Sequence, residues 1–293
     1  MQILSILIDV VVPVFLVAAV GYAWAKRDKP FDPTFVSLMV TVVGTPCLVI
    51  DSISKSNLQP SALGTMALAA VLCHFAALGV GYVVLKILRQ PMNVYLPSMT
   101  FANTGNMGLP LTLFAFGEAG LALSIGYFTL ASLLNFGLGQ AIASKNFSPM
   151  AILKMPLVWA ILLAMVLVTT GLHLPRTIER AMGILGGLTV PLMLVSLGFS
   201  LARLKIASLK RGVILSLVRL LGGFAIGWAV GWALGLEGLA LGVVVTQSSM
   251  PSAVYNYMFA ARFGNAEEEV AGMVILSTLL SLIFLPWFLS TVM

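Results

Sequence analysis

Two short polar clusters stand inside otherwise apolar stretches of this 293-residue chain. The first is FANTGNMGLP, residues 101–110, in which Asn103, Thr104, Gly105 and Asn106 are followed by Pro110. The second is TQSSMPSAVY, residues 246–255, with Gln247, Ser248, Ser249, Pro251 and Ser252. These residue types bind rather than cleave. They are neutral hydrogen-bond donors and acceptors on backbone that glycine and proline loosen. A helix interrupted at such a place exposes unpaired N–H groups at the start of its second half, where the macrodipole is positive. Two such ends suit a carboxylate without any full positive charge, and hold it weakly enough for release.

A few ionisable residues fall inside apolar runs, where each charge costs at least about 2.5–3.5 kcal/mol on insertion scales. His74 is central in its run, and its usual pKa suits proton coupling; a hydrogen-bonded packing role is the alternative. Arg219 lies between LSLV and LLGGFAIGW, as a candidate to hold a substrate carboxylate or the resting state of the site. Alternatively it snorkels to the interface near Arg211. Asp51 is a candidate support residue, or the ion-pair partner of Lys55 at the outer surface. Asp9, within the first run, reads as a proton site or an interfacial charge. Glu118, Glu267, Glu268 and Glu269 flank runs and read as solvated loop charges. Cys47 and Cys73 lack the spacing of a metal site or disulfide framework and read as small buried hydrophobes.

The elements that must position these residues follow from composition. The chain is 60% hydrophobic and 9% charged, against about 25% charged in soluble domains. So few charges cannot solvate a fold of this size, which makes it an all-α polytopic membrane protein. Ten runs approach the roughly 20 residues a span requires: 3–25, 34–53, 61–88, 93–117, 120–143, 150–172, 177–202, 211–235, 238–262 and 268–292. The first continues past Gly21 with no small-residue cleavage signature and reads as a retained helix. Lys26, Arg27, Lys29, Lys86, Arg89, Lys145, Lys154, Arg203, Lys205, Lys210, Arg211 and Arg262 fall on one side, with Lys55, Arg176 and Arg180 on the other. By the positive-inside rule both termini lie outside. The net charge of +6 flanks apolar runs rather than forming one basic face, so nucleic acid is not the expected partner. The lipid bilayer is.

Sliding the chain against itself by about 145 residues pairs Pro46 with Pro191 and His74 with Arg219, and lays FANTGNMGLP over TQSSMPSAVY. Each half then holds five helices: 1–143, a connection at 144–149, and 150–293. An odd number of spans makes the two halves inverted repeats, a recurrent design of secondary transporters. The fourth and ninth helices are the broken pair and occupy corresponding positions. Freed backbone there must be buried in protein or line a wet cavity. Kinks tolerated for packing are the plainer reading of either break alone.

NTGNMGLPL from Asn103 and the QSSMP of the ninth helix resemble the crossover motifs of the auxin efflux carrier family, which includes the plant PIN-FORMED transporters and bacterial permeases for small organic acids. The resemblance spans the whole chain. It implies ten transmembrane helices in two inverted five-helix repeats, with a scaffold part and a transport part that moves like an elevator. Asn103 then matches the family's crossover Asn, and Pro251 its ninth-helix Pro. Ala102 stands where plant members have Pro, and His74 lies in the region where they carry an Asp and a Lys, which argues against auxin itself. The short joint at Lys145–Pro149 is similar to bacterial members, which implies a multi-pass protein of a bacterial inner membrane. A homodimer is a further family expectation.

The expected function is therefore secondary active transport of small organic anions, mono- or dicarboxylates with auxin-like acids among the candidates, by elevator-type alternating access. Asn103, Thr104, Gly105, Asn106, Gln247, Ser248, Ser249 and Ser252 would bind substrate, with Pro110 and Pro251 holding the breaks open. No cofactor is expected; proton coupling through His74 is a candidate, and a sodium-coupled symporter of the bile-acid type is the alternative. No G-x-x-x-x-G-K-[ST], H-E-x-x-H or G-x-S-x-G motif is present, so neither ATP-driven pumping nor an enzyme is expected. An intramembrane hydrolase or a passive channel are the readings from other classes.

Overall fold

The computed structural model describes residues 4–5, 7–55, 60–146, 153–172, 174–204 and 207–293. In a hydrocarbon environment every backbone N–H and C=O needs an internal partner, which leaves helices as the natural state of such apolar segments. The described chain is helical throughout, with one isolated antiparallel β-bridge between Ala102 and Ser252. Among the described residues, seven helices are long and apolar enough to cross a membrane. They are α1 (Ile8–Lys26), α2 (Pro33–Lys55), α3 (Ser61–Ile87), α5 (Thr104–Ser144), α7 (Arg176–Arg203), α8 (Leu209–Ala233) and α11 (Glu267–Ser290). The shorter helices are α4 (Met92–Thr100), α6 (Pro156–Thr170), α9 (Gly238–Ser248) and α10 (Val254–Phe263).

Several of the ten expected runs differ from these helices. The fourth and ninth runs are not continuous helices: each is a pair of half-helices separated by extended backbone, α4 with the start of α5, and α9 with α10. The expected gap between the fourth and fifth runs is a single residue. Gly117 takes φ 65° and ψ −164° inside α5, a region open essentially to glycine. It divides α5 into a first arm (104–116) and a second arm (118–144). Of the connection expected at 144–149, residues 147–149 lie outside the described residues.

Proline explains three widened turns. The π-helical turns Leu7–Val11, Met39–Gly44 and Thr104–Gly108 each end two residues before a proline: Pro13, Pro46 and Pro110. A proline ring clashes with the carbonyl one turn back and has no N–H to offer it. Widening the preceding turn relieves the clash without ending the helix.

Two sets of helices pack chiefly among themselves. In one, α1 lies along α7, and α2 lies against α6 and α7. In the other, α3 packs on α4, α5 and α8, α8 on α9 and α11, and α10 on α11. Buried apolar seams join the sets: Val10, Val11 and Val14 meet Met107 and Leu111, while Val49 and Ile53 meet Leu109, Leu121 and Ile125. The α1–α7 crossing is a backbone-to-backbone contact. A Cβ on Gly198 would land on the Ala18 carbonyl, and one on Gly21 on the Val195 carbonyl. Small residues allow this approach, and dispersion is what it gains.

Gly198→Leu should therefore force α1 from α7, at a cost of about 1–3 kcal/mol or more, seen as a lower Tm in detergent or loss of the monodisperse peak. Gly187→Ala, where an added Cβ meets nothing within 4 Å, should leave both unchanged.

Candidate functional site

The site is built from two pieces of unwound backbone that satisfy one another. α4 ends at Thr100, and Phe101 is extended at φ −95° and ψ 110°. α9 ends at Ser248, and the chain is extended again at Ala253, φ −67° and ψ 140°. The two strands cross antiparallel. Asn103 N–H donates to the Pro251 carbonyl at 2.7 Å, and Ala253 N–H donates to the Phe101 carbonyl at 3.1 Å. Side chains complete the knot. Asn256 Nδ2 donates to the Phe101 carbonyl at 3.0 Å and to Ser252 Oγ at 3.2 Å. Ser252 N–H donates to Ser277 Oγ at 3.1 Å, and Arg219 Nη2 donates to the Ser248 carbonyl at 2.8 Å.

An open cavity of about 650 Å³ lies against one side of this crossing. Asn103, Thr104, Gly105 and Asn106 line it together with Ala253 and Tyr255, so the N-terminal ends of α5 and α10 both border it. Thr45 and Val40 of α2, Leu157 of α6 and Met193 of α7 form the facing wall, and Phe128, Ser132, Asn135 and Phe136 come from the second arm of α5. No Asp, Glu, Lys, Arg or His is among the described lining residues. Two buried amide atoms of this lining, Asn103 Nδ2 and Asn135 Oδ1, have no hydrogen-bond partner among the described residues.

A second cavity, about 780 Å³, is lined by Pro33, Ser37, Ser196, Ser200 and Met258, and shares Val40, Asn106, Met193 and Tyr255 with the first. Tyr255 stands at the junction, its hydroxyl 3.4 Å from both Ser37 Oγ and Thr41 Oγ1 and its ring edge-on to Phe136 at 4.9 Å. The second cavity thus lies toward the end of α2 that follows Lys26, Arg27 and Lys29. A third, small pocket of about 190 Å³ shares no lining residue with the first and brings together Cys73, His74, Thr100, Tyr127, Arg219 and Ser248.

The structure accordingly divides the expected binding residues. The four from the first motif line the main cavity; the four from the second do not. Gln247 is fully buried and donates to Ser124 Oγ. Ser248 faces the small pocket, and the Ser249 hydroxyl turns back to the Val245 carbonyl at 2.5 Å. Ser252 is held by Asn256 and Ser277. Pro251 lies in the extended strand, where its carbonyl accepts from Asn103. Pro110 lies instead within the helix after the break, two residues past the widened turn Thr104–Gly108 that lines the cavity.

His74 and Arg219, paired in sequence by one offset, do meet at one pocket. His74 Nδ1 donates to the Ala70 carbonyl at 2.7 Å, and the ring stacks on Phe101 at 5.6 Å. Arg219 does not snorkel: it is 3% exposed and turned inward. Asp51 pairs with Lys55 at 2.7 Å, away from the cavity. Glu269 is more than a solvated charge, accepting from Arg211 at 2.9 Å and from the Tyr95 hydroxyl at 2.9 Å. Thr45, Asn135, Tyr255 and Asn256 are additions. Asn135 carried a signal, as a lone amide within LASLLNFGLG; Asn256 carried another, one helical turn after Ser252.

Because Asn256 is 2% exposed and holds both strands, Asn256→Ala should destabilise by about 1–3 kcal/mol. A thermal-unfolding series in detergent reads this as a clear drop in Tm relative to wild type.

Comparison with known sequences fits this architecture. A family described as membrane transport protein matches the chain in two stretches, residues 6–145 and 140–289. An uncharacterized transporter of Methanocaldococcus jannaschii is 26% identical over 94% of this chain and 95% of its own length. Another, from Methanothermobacter thermautotrophicus, is 28% identical over 87% of each chain. With helices that cross the membrane, two unwound strands crossing between half-helices and a family match across nearly its whole length, the chain belongs to the membrane transport protein family, of the auxin efflux carrier type.

Proposed function

We propose that this chain is a secondary transporter that carries a small organic anion by alternating access, without covalent chemistry. One observation carries the reading. Two half-helix N-termini and the unpartnered Asn103 amide border a cavity free of charged side chains among its described lining residues. A carboxylate placed there meets positive helix ends and neutral donors. Phe128, Phe136, Leu157 and Met193 offer its organic part an apolar wall. With one polar end and no lysine or arginine in the described lining for a second carboxylate, the cavity favours a monocarboxylate over a dicarboxylate.

The same reading proposes ten spans in two inverted five-helix repeats. The two family-model stretches divide the chain near its middle. The antiparallel pairing of Ala102 with Ser252 is what an in-plane twofold would produce from two equivalent strands. At the crossing the shift between halves is then 150 residues, five more than the 145 that aligns Pro46 with Pro191. The two sets of helices serve as scaffold and moving part, with the cavity between α2, α6 and α7 on one side and the crossover on the other. With the lysine- and arginine-rich ends in the cytoplasm, both termini lie outside and the cavity opens inward through the Tyr255 junction. The described lining holds no acidic side chain to balance a sodium ion's charge, so the anion reading invokes no sodium at this cavity.

The test is charge movement or labelled uptake in proteoliposomes, adding lactate, indole-acetate, malonate, succinate and malate in turn. A saturable signal for one acid is expected. Asn103→Ala should lower it at least about tenfold, as loss of one hydrogen bond to a charged group implies, with Tm unchanged. Unaltered uptake by that variant removes Asn103 from the site, and silence of both readouts across the panel ends the organic-anion reading.

A further inference from the structure

Arg219 is a buried cation whose partner is not an acid. It is 3% exposed, and the ion pairs found among the described residues are Lys55–Asp51 and Arg211–Glu269. A buried guanidinium without a carboxylate is strongly unfavourable unless something of negative potential faces it. What faces it is the end of a helix. The terminal carbonyls of α9 carry the negative pole of its macrodipole and outnumber the N–H groups that can reach them.

The hydrogen bonds at that end single out one oxygen. The Val245 carbonyl accepts from Ser249 N–H and from the hydroxyls of Ser248 and Ser249; the Thr246 carbonyl accepts from Ser249 N–H, and the Gln247 carbonyl from Met250 N–H at 3.4 Å. In a continuing helix the Ser248 carbonyl would accept from Ser252 N–H. Here that N–H turns to Ser277, because the chain has unwound. Arg219 Nη2, at 2.8 Å, takes its place. The seam is cut to fit: Gly223, one turn after Arg219, lies so close that a Cβ there would overlap the Ser248 carbonyl.

We propose that Arg219 is the resident cation of the crossover: its guanidinium takes the part that a bound cation plays at the open C-terminal end of a broken helix, and holds that end by charge rather than by shape. The consequence for transport, which rests on the anion reading above, is that the crossover brings its own positive charge to the midplane. An anion's charge is then balanced without a co-bound metal ion at this end.

The test needs no substrate, so its failure and that of the anion reading are separable. Full-length wild type, Arg219→Lys, Arg219→Met and Arg219→Ala are unfolded thermally in one detergent. A charge requirement predicts that Lys lies several degrees above Met, although Met fills similar volume and carries no desolvation penalty. It also predicts that methylguanidinium at low millimolar concentration raises the Tm of the Ala variant, whereas the neutral N-methylurea does not, and that neither moves wild type. Met at or above Lys overturns the proposal, as does equal rescue by both additives or by neither. If the Ala variant cannot be purified, the order of Lys and Met decides.

Discussion

The structure depends on one constraint: a polar backbone group at membrane depth must find a partner, because hydrocarbon offers none. Continuous helices meet it internally. The unwound strands at 101–103 and 251–253 cannot, and they exist only because each supplies the other's missing bonds. The remaining demand falls on Asn256, Ser277 and Arg219, each from a different helix, and each donating or accepting at a backbone atom that the break released. Buried polar residues around the crossing are thus a consequence of the break before they are anything else.

That accounting also explains the chemistry left over for a ligand. Where backbone and side chains are mutually satisfied, as at Ser249 and Ser252, the surface has little to offer. On the opposite side, the ends of α5 and α10 open onto a cavity, and Asn103 has its backbone N–H committed while its amide nitrogen is not. The two sides of one crossing have become different places: a tightly bonded, positively charged back and a neutral, partly apolar front.

The packing that surrounds the crossing has the same division. α1 and α7 touch backbone to backbone at Gly21 and Gly198, a contact with little freedom to shift. The seams between the two sets are instead made of Val, Leu, Ile and Met side chains. Such surfaces lack the hydrogen bonds that fix a register, which is what the proposed movement of one set past the other requires.

What the sequence by itself determined is what backbone chemistry decides locally. Glycine, proline and polar residues at 103–110 and 247–252 foretold two interrupted helices, because glycine and proline loosen a helix and polar neighbours can satisfy the backbone groups so freed. Membrane residence followed from the scarcity of charge, while the i,i+4 spacing of Asp51 and Lys55 offered the pairing that the structure shows. Only the tertiary structure decided which donor meets which carbonyl across the crossing, since those partners are far apart in the chain. It also decided which way a side chain points. Arg219 could face the interface or the crossover with equal ease until α9 packed against its helix, and Asn135 or Tyr255 could line a cavity or a helix contact until α2 and α6 closed the other wall. Rotation of a helix about its axis is set by what it packs against, and no local pattern carries that.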